Sequence, residues 1–255
     1  MERALNTEGW LHVDPLSADQ ATAVRAHFAQ CGPLPGYLPG RLTPFERSKP
    51  YSIEDCARRG RFACYPLSDV LAAPHLLDRA LAEDVLIPVR EYLGAEPALY
   101  SANAFWSFPQ PHIQSTQLMH RDFDGGRVAA LFISLTYGAE QYYLPGSHDP
   151  TRFRRMVAMH GFPGMNYDVH KALDIHESYL SRFPVIRLLG GPAGRCALTL
   201  PEGLHAGVPC SEPRLMVWFR YGTGPNEAYF KDKTEPVVVP GRAPTAATAL
   251  LIRGE

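Results

Sequence analysis

Val128-Ala-Ala-Leu-Phe-Ile-Ser-Leu-Thr136 decides the fold class. It runs apolar for almost its whole length without the in-and-out alternation of a surface strand, so it reads as a strand of the buried type. Working outward, residues 99–107 and 116–122 before it, and 141–144, 185–189, 195–200 and 214–221 after it, carry the same short β-pattern between turn-forming residues. Seven short strands predict a barrel or sandwich. The 24 prolines and 21 glycines make up about 18% of the chain, against an average of roughly 12%, which favours turns and short elements over long helices.

The helical patterns lie N-terminal to the strands. Trp10-Leu-His-Val-Asp14 alternates like a short strand, and Ser17-Ala-Asp-Gln20 is a capping box for a helix that buries Ala21, Val24 and Phe28. Residues 32–50 are dense in Pro and Gly and predict a long loop. Apolar spacing of three and four over 66–94 predicts two helices, with Gly94 ending the second and Pro88 in a bend or first turn. Between His148 and Pro184 a segment rich in His, Met and Arg interrupts the strand series. We read 149–184 as a lid insertion over one mouth of a single 1–255 domain. After Lys231, Val237-Val-Val239 suggests an edge strand or a packed arm.

Twenty-five basic and 26 acidic residues are well mixed and give a formal charge of −1, which argues against a nucleic-acid partner and for a small-molecule substrate. Five cysteines, odd in number and without CxxC spacing, argue against a disulfide framework or a structural zinc site and fit a reducing cytoplasm. No stretch approaches the ~18 apolar residues of a membrane span, so no membrane partner is expected. Oligomeric state leaves no signal.

The chemistry centres on His120-Arg-Asp122 at the end of a β-pattern segment. Residues i and i+2 of a strand share a face, so imidazole and carboxylate can reach one ion. About one such pair is expected by chance, and His12-Val-Asp14 is a second, read as a surface strand end because Pro15 and a helix follow it. What distinguishes His120 and Asp122 is the surrounding set: the buried strand 128–136, the turn Pro145-Gly-Ser-His148, the Gly191-Pro-Ala-Gly194 turn, and His205. Two histidines and a carboxylate on one face of an octahedral ion leave three positions for a bidentate cosubstrate and dioxygen. Arg214, nine residues after His205, can point into the same cavity, where a planar guanidinium matches a carboxylate bidentately. Arg220 shares its strand face but ranks second, because at ~3.3 Å per residue it lies ~20 Å further along and is expected beyond the metal's reach.

These stretches resemble the phytanoyl-CoA dioxygenase superfamily of iron(II)/2-oxoglutarate oxygenases. The resemblance covers about residues 8–222 and rests on Gly9-Trp-Leu-His-Val-Asp-Pro-Leu-Ser17, Met119-His-Arg-Asp122, Leu144-Pro-Gly-Ser-His148, and the run from Gly194 through His205 to Gly207 followed by Arg214. It implies a mainly β double-stranded β-helix, a cupin-like jelly roll with helices packed outside. It further implies iron(II) on His120, Asp122 and His205 as metal and catalytic residues, and 2-oxoglutarate with its far carboxylate on Arg214. The implied activity is a dioxygenase that consumes O2, decarboxylates 2-oxoglutarate to succinate and hydroxylates a small metabolite, with desaturation or cyclisation as variants, in natural-product assembly. Asn103 either hydrogen-bonds the cosubstrate, as the resemblance implies, or satisfies an inward-facing backbone group. Asp122, standing where related halogenases have a small residue, argues against halogenation. Protein hydroxylation by a cupin-type relative is disfavoured because that group more often uses Lys as anchor. The reading of a different class is a non-catalytic metal-binding jelly-roll module.

Other polar residues have plainer readings. His148 is expected to be structural, within a turn. His160, His170 and His176 are expected to be solvated in the insertion, Cys210 to be a small filler, and Gln117 to face away from His120. Trp106, Trp218 and Tyr142-Tyr143 are core or pocket wall, which sequence does not separate.

Overall fold

The computed structural model describes residues 2–36, 48–49, 51–111, 115–117, 119–122, 126–160, 183–223, 237–238, 242–249 and 252–253. After α1 (Glu2–Glu8) and β1 (Trp10–Val13), Ser17 starts α2 (Ala18–Cys31) through the capping box that the sequence predicts. The Ser17 hydroxyl accepts from the Gln20 amide at 3.2 Å, and the Gln20 side chain accepts from the Ser17 amide at 2.9 Å. Two of the helix's orphan donors are thereby satisfied. Ala21, Val24 and Phe28 are the buried residues of this helix, as its spacing requires.

Next come β2 (Leu34–Pro35), α3 (Ile53–Arg59), β3 (Phe62–Cys64), α4 (Leu67–Ala72), α5 (Leu76–Ala80) and α6 (Glu83–Leu93). Two expectations change here. The stretch 66–94 forms three short helices, and Pro88 lies inside α6, buried, beyond its first turn. A mid-helix proline costs about 3 kcal/mol. The buried side chains of Val85, Val89, Tyr92 and Leu93, at about 1.5–3 kcal/mol each, outweigh it. Within the predicted 32–50 loop, Leu34 and Pro35 pair with β3 at the outer edge of the sheet, where a proline is tolerated; residues 37–47 and 50 lie outside the described residues.

The strand series continues with β4 (Ala98–Ser107), a one-turn 3-10 helix (Ser115–Gln117), β5 (Ala129–Ser134) and β6 (Gln141–Tyr143). Helix α7 (Pro150–His160) precedes β7 (Ile186–Leu188), β8 (Cys196–Thr199), β9 (His205–Gly207) and β10 (Arg214–Gly222), with short β11 (Val237–Val238) and β12 (Ile252–Arg253) at the end. Seven strands form one sheet in the order β1-β8-β5-β10-β4-β3-β2, and three form a second in the order β7-β6-β9. Every pairing within these two sheets is antiparallel. This is a jelly roll with flanking helices. The predicted strand over 116–122 is not found among the described residues, where the segment holds the 3-10 turn and a bridge from His120 to His205. Of the predicted 149–184 insertion, 149–160 and 183–184 are described; His170 and His176 lie outside the described residues.

β10 shows why its neighbours read as buried on both faces. Leu215, Val217, Phe219 and Tyr221 pack with Val24, Phe28, Leu77, Val85 and Val89 of the outer helices. Met216 and Trp218 face the interior of the sandwich with Phe105, Phe132, Tyr143 and Leu188. Arg214 and Arg220 share the parity of Met216 and Trp218, so both start from the interior face.

Candidate active site

Three backbone contacts assemble the site. His205 opens β9, and His120 lies antiparallel beside it, each amide donating to the other's carbonyl at 2.9 Å. Two residues on, the Asp122 amide donates to the Pro201 carbonyl at 2.8 Å. Asp122 is therefore held by the turn that leads into His205 rather than by a strand ladder.

The donor atoms converge. Asp122 Oδ1 is 3.7 Å from His120 Nε2, and Asp122 Oδ2 is 3.8 Å from His205 Nε2. One ligand atom from each of the three residues lies within 4.8 Å of the others. His205 Nδ1 is 2.9 Å from the Gly203 carbonyl. A carbonyl only accepts, so this contact places the proton on Nδ1 and leaves the Nε2 lone pair facing the other two donors. Burial, with His120 adding to it, pushes the His205 pKa down to about 4. Neutral imidazole is the state a metal requires. Burial works against the Asp122 charge, but Arg220 first, then His205 and His120, hold its pKa down at about 2. A carboxylate and two imidazole nitrogens clustered at this spacing fit a divalent ion.

The Gly203 carbonyl is fixed by close packing. A Cβ on Gly203 would lie 2.1 Å from the Tyr143 hydroxyl, which is fully buried and donates to the Leu200 carbonyl at 3.1 Å. Gly207 marks the other end of the same face. It is two residues after His205, so a Cβ there would project to the side on which His205 projects, and it would meet Arg214 Nη2 at 2.5 Å. The guanidinium thus sits about 7 Å along β9 from the histidine.

Arg214 is only 4% exposed. Its Nη1 donates to the carbonyls of Glu140, at 3.0 Å, and Val208, and its Nε is buried with no hydrogen-bond partner among the described residues. Ser107 Oγ, Ser134 Oγ and Gln141 Oε1 are buried and unpartnered in the same sense. Their register positions lie opposite Arg214, Met216 and Gly207 respectively. Buried polar groups are normally satisfied, so a cation surrounded by idle hydroxyls fits a carboxylate guest.

Arg220 departs from expectation. Its Nη2 donates to Asp122 Oδ2 at 2.5 Å, and its guanidinium lies 4.7 Å from the centre of the Trp218 ring. The strand-rise estimate fails because the three donors lie between the two arginines rather than at the Arg214 end. A long side chain also spans much of the remaining gap. The signal that could have promoted Arg220 was its shared parity with Arg214.

The other sequence candidates separate clearly. Asn103 hydrogen-bonds Cys64 and stands opposite Trp218 in the β4–β10 register, on the interior face between the two arginines. His12 is exposed and stacks edgewise on Trp10, and Asp14 is exposed, so this pair stays outside the cluster. His148 is buried with Nε2 3.0 Å from the Asn6 carbonyl, tying the turn to the N-terminal segment. Trp106 donates to the Tyr65 hydroxyl at 2.9 Å and packs toward the helices, whereas Trp218 lines the interior. Cys210 lies near Arg214, with Sγ 3.7 Å from the Ser107 carbonyl.

A jelly roll bearing two histidines and one carboxylate at one face of its interior is thus defined by geometry alone. No family model matches the chain, and no curated protein matches it by sequence. Solved structures do match its fold. The epimerase SnoN, in complex with Fe3+, alpha ketoglutarate and nogalamycin RO, is 14% identical, with 96% of this chain and 91% of that one covered and a TM-score of 0.54. EctD from S. alaskensis with 2-oxoglutarate and 5-hydroxyectoine is 15% identical, with 99% and 86% covered and a TM-score of 0.52. The alpha ketoglutarate dependent carbocyclase SnoK from nogalamycin biosynthesis is 15% identical, with 94% and 92% covered and a TM-score of 0.51.

Proposed function

We propose that this protein is an iron(II)- and 2-oxoglutarate-dependent oxygenase of the phytanoyl-CoA dioxygenase type that hydroxylates a small metabolite. The observation that carries the reading is the pairing of His120, Asp122 and His205 within 4.8 Å of one another with a buried, incompletely satisfied Arg214 on the same side of β9. A metal cluster by itself fits a structural ion equally well. A buried guanidinium with an idle Nε, beside Gly207 and so two residues along β9 from His205, supports a carboxylate-bearing cosubstrate as well.

In this reading His120 Nε2, one Asp122 oxygen and His205 Nε2 hold the iron. Arg214, helped by the Ser107 and Ser134 hydroxyls, takes the far carboxylate of 2-oxoglutarate; Asn103 is the further polar candidate. When bound, iron and 2-oxoglutarate supply the activation of dioxygen, with loss of carbon dioxide and formation of succinate. The chain's own part is placement and shelter. The Gly203 carbonyl fixes the His205 tautomer, and the interior side chains of Phe105, Phe132, Met216 and Trp218 exclude water around the reacting groups. The fold neighbours crystallised with nogalamycin RO and 5-hydroxyectoine support a small-molecule substrate and a setting in natural-product assembly. Hydroxylation is the reaction we assign; epimerase and carbocyclase neighbours make ring closure and hydrogen relocation the variants to assay. Five free cysteines support a cytoplasmic setting, and 149–184 is assigned as the lid of a single domain.

The test is anaerobic addition of iron(II) and 2-oxoglutarate to the purified protein. A weak visible charge-transfer band is expected in the wild type and absent in His205→Ala. Tight metal binding with 2-oxoglutarate ignored would replace this reading with a non-catalytic metal-binding jelly roll.

A further inference from the structure

We propose that Arg220 is a positioning residue that restricts Asp122 to ligation through one oxygen and so keeps a coordination site open for dioxygen. The inference rests on the metal-site reading above. Six positions surround an octahedral ion; two imidazoles and one carboxylate oxygen use three, and a chelating keto acid uses two more. The sixth is needed for dioxygen. A carboxylate that swings to bind through both oxygens would close it.

Arg220 holds Asp122 against that swing. Its Nη2 engages Oδ2 at 2.5 Å, so that oxygen's strongest partner is already a cation although His205 Nε2 lies 3.8 Å from it, while Oδ1 is left to face His120 Nε2 at 3.7 Å. The guanidinium is itself held. It rises from β10, between β4 and β5 in the register, is 8% exposed, and lies 4.7 Å from the Trp218 ring centre, close enough for a cation–π contact. Among the described residues, the Asp122 backbone joins no strand ladder, and its amide donates a hydrogen bond to the Pro201 carbonyl. The side chain therefore takes its direction from Arg220. Groups that orient a metal ligand from behind are commonly worth about 10- to 100-fold in metal affinity.

Cobalt(II), added anaerobically without cosubstrate, tests this in wild type, Arg220→Met and Arg220→Lys, with titration and the visible d–d spectrum as readouts and a thermal melt as fold control. Arg220→Met, of similar reach but without donor or charge, is expected to bind cobalt about 10- to 100-fold more weakly with an altered d–d spectrum. Arg220→Lys is expected to restore most of both. Unchanged affinity and spectrum in Arg220→Met overturn the proposal. Altered affinity with an unchanged d–d spectrum overturns it too, because Arg220 would then act on the ion by charge and not through the ligation of Asp122. Should Arg220→Met fail to fold, Arg220→Leu, likewise without donor or charge, gives the same comparison. Wild-type protein that shows no cobalt binding dependent on His205 would instead remove the metal site itself.

Discussion

Gly207→Ala tests the proposed cosubstrate anchor, Arg214, apart from the proposed metal site. The backbone admits alanine there, since Gly207 is not among the positive-φ residues. The new methyl would form 2.5 Å from Arg214 Nη2, and moving that contact out to the 3.4 Å of ordinary packing displaces the guanidinium by about 0.9 Å. Stability should change little, because the atom that yields is the end of a flexible side chain. Position is what suffers: Nη1 is held by Glu140 and Val208, so the group pivots rather than translates, and a two-pronged carboxylate contact loses alignment. A charge-assisted hydrogen bond is worth about 1.5–3 kcal/mol, so affinity for 2-oxoglutarate should fall about 10- to 100-fold. Anaerobic titration of the iron protein with 2-oxoglutarate, following the charge-transfer band, measures this directly; metal affinity, measured separately, should be unchanged. An unaltered 2-oxoglutarate affinity in a folded variant would refute the placement of Arg214 as anchor.

Asp122→Ala removes the carboxylate of the proposed metal site and should abolish most of the iron(II) affinity in equilibrium dialysis, whereas His12→Ala should leave both metal content and turnover at the wild-type level. Gly203→Ala forces a methyl to 2.1 Å from the Tyr143 hydroxyl, so overpacking should cost about 1–3 kcal/mol by urea unfolding; adding Tyr143→Phe should recover part of that loss, and simple additivity would argue against the clash. Burial opposes the Asp84 charge, but Arg79 and the Asp14 amide together hold its pKa below the usual carboxylate value. That contribution is complete above the unfolded aspartate value of about 4 and is lost as the pH falls through the lower folded value. Asp84→Asn should therefore lower Tm at pH 7 by about 3–6 °C, for a loss of about 1.5 kcal/mol, and the gap to wild type should close in melts taken below about pH 4.

Where the chain alone dictates structure, its sequence is readable. Ser17 and Gln20 satisfy each other locally, so the start of α2 follows from four residues. The 128–133 run and the 215–219 run are apolar throughout because helices cover one face and the sandwich interior the other, and that double burial leaves its mark in composition. What pairing alone dictates is not readable. His205-Ala-Gly207 has no periodicity, and the strand over it exists because β6 and His120 supply its partners. Residues 116–122 carry a β-pattern, but the described ones form a 3-10 turn and bridge contacts to β9 rather than a ladder. The same division runs through the site. The proposed ligands His120, Asp122 and His205 and the proposed anchor Arg214 stand out by type and order, because metal and carboxylate chemistry admits few substitutes. Arg220 does not, since its use depends on a contact made across 98 residues, and strand rise measures only the distance along its own strand. Residue type thus names the atoms available to a metal, while non-local hydrogen bonds decide how each is aimed: His205 through Gly203, Asp122 through Pro201 and Arg220. Changing those orienting partners should therefore alter coordination without changing the ligand set.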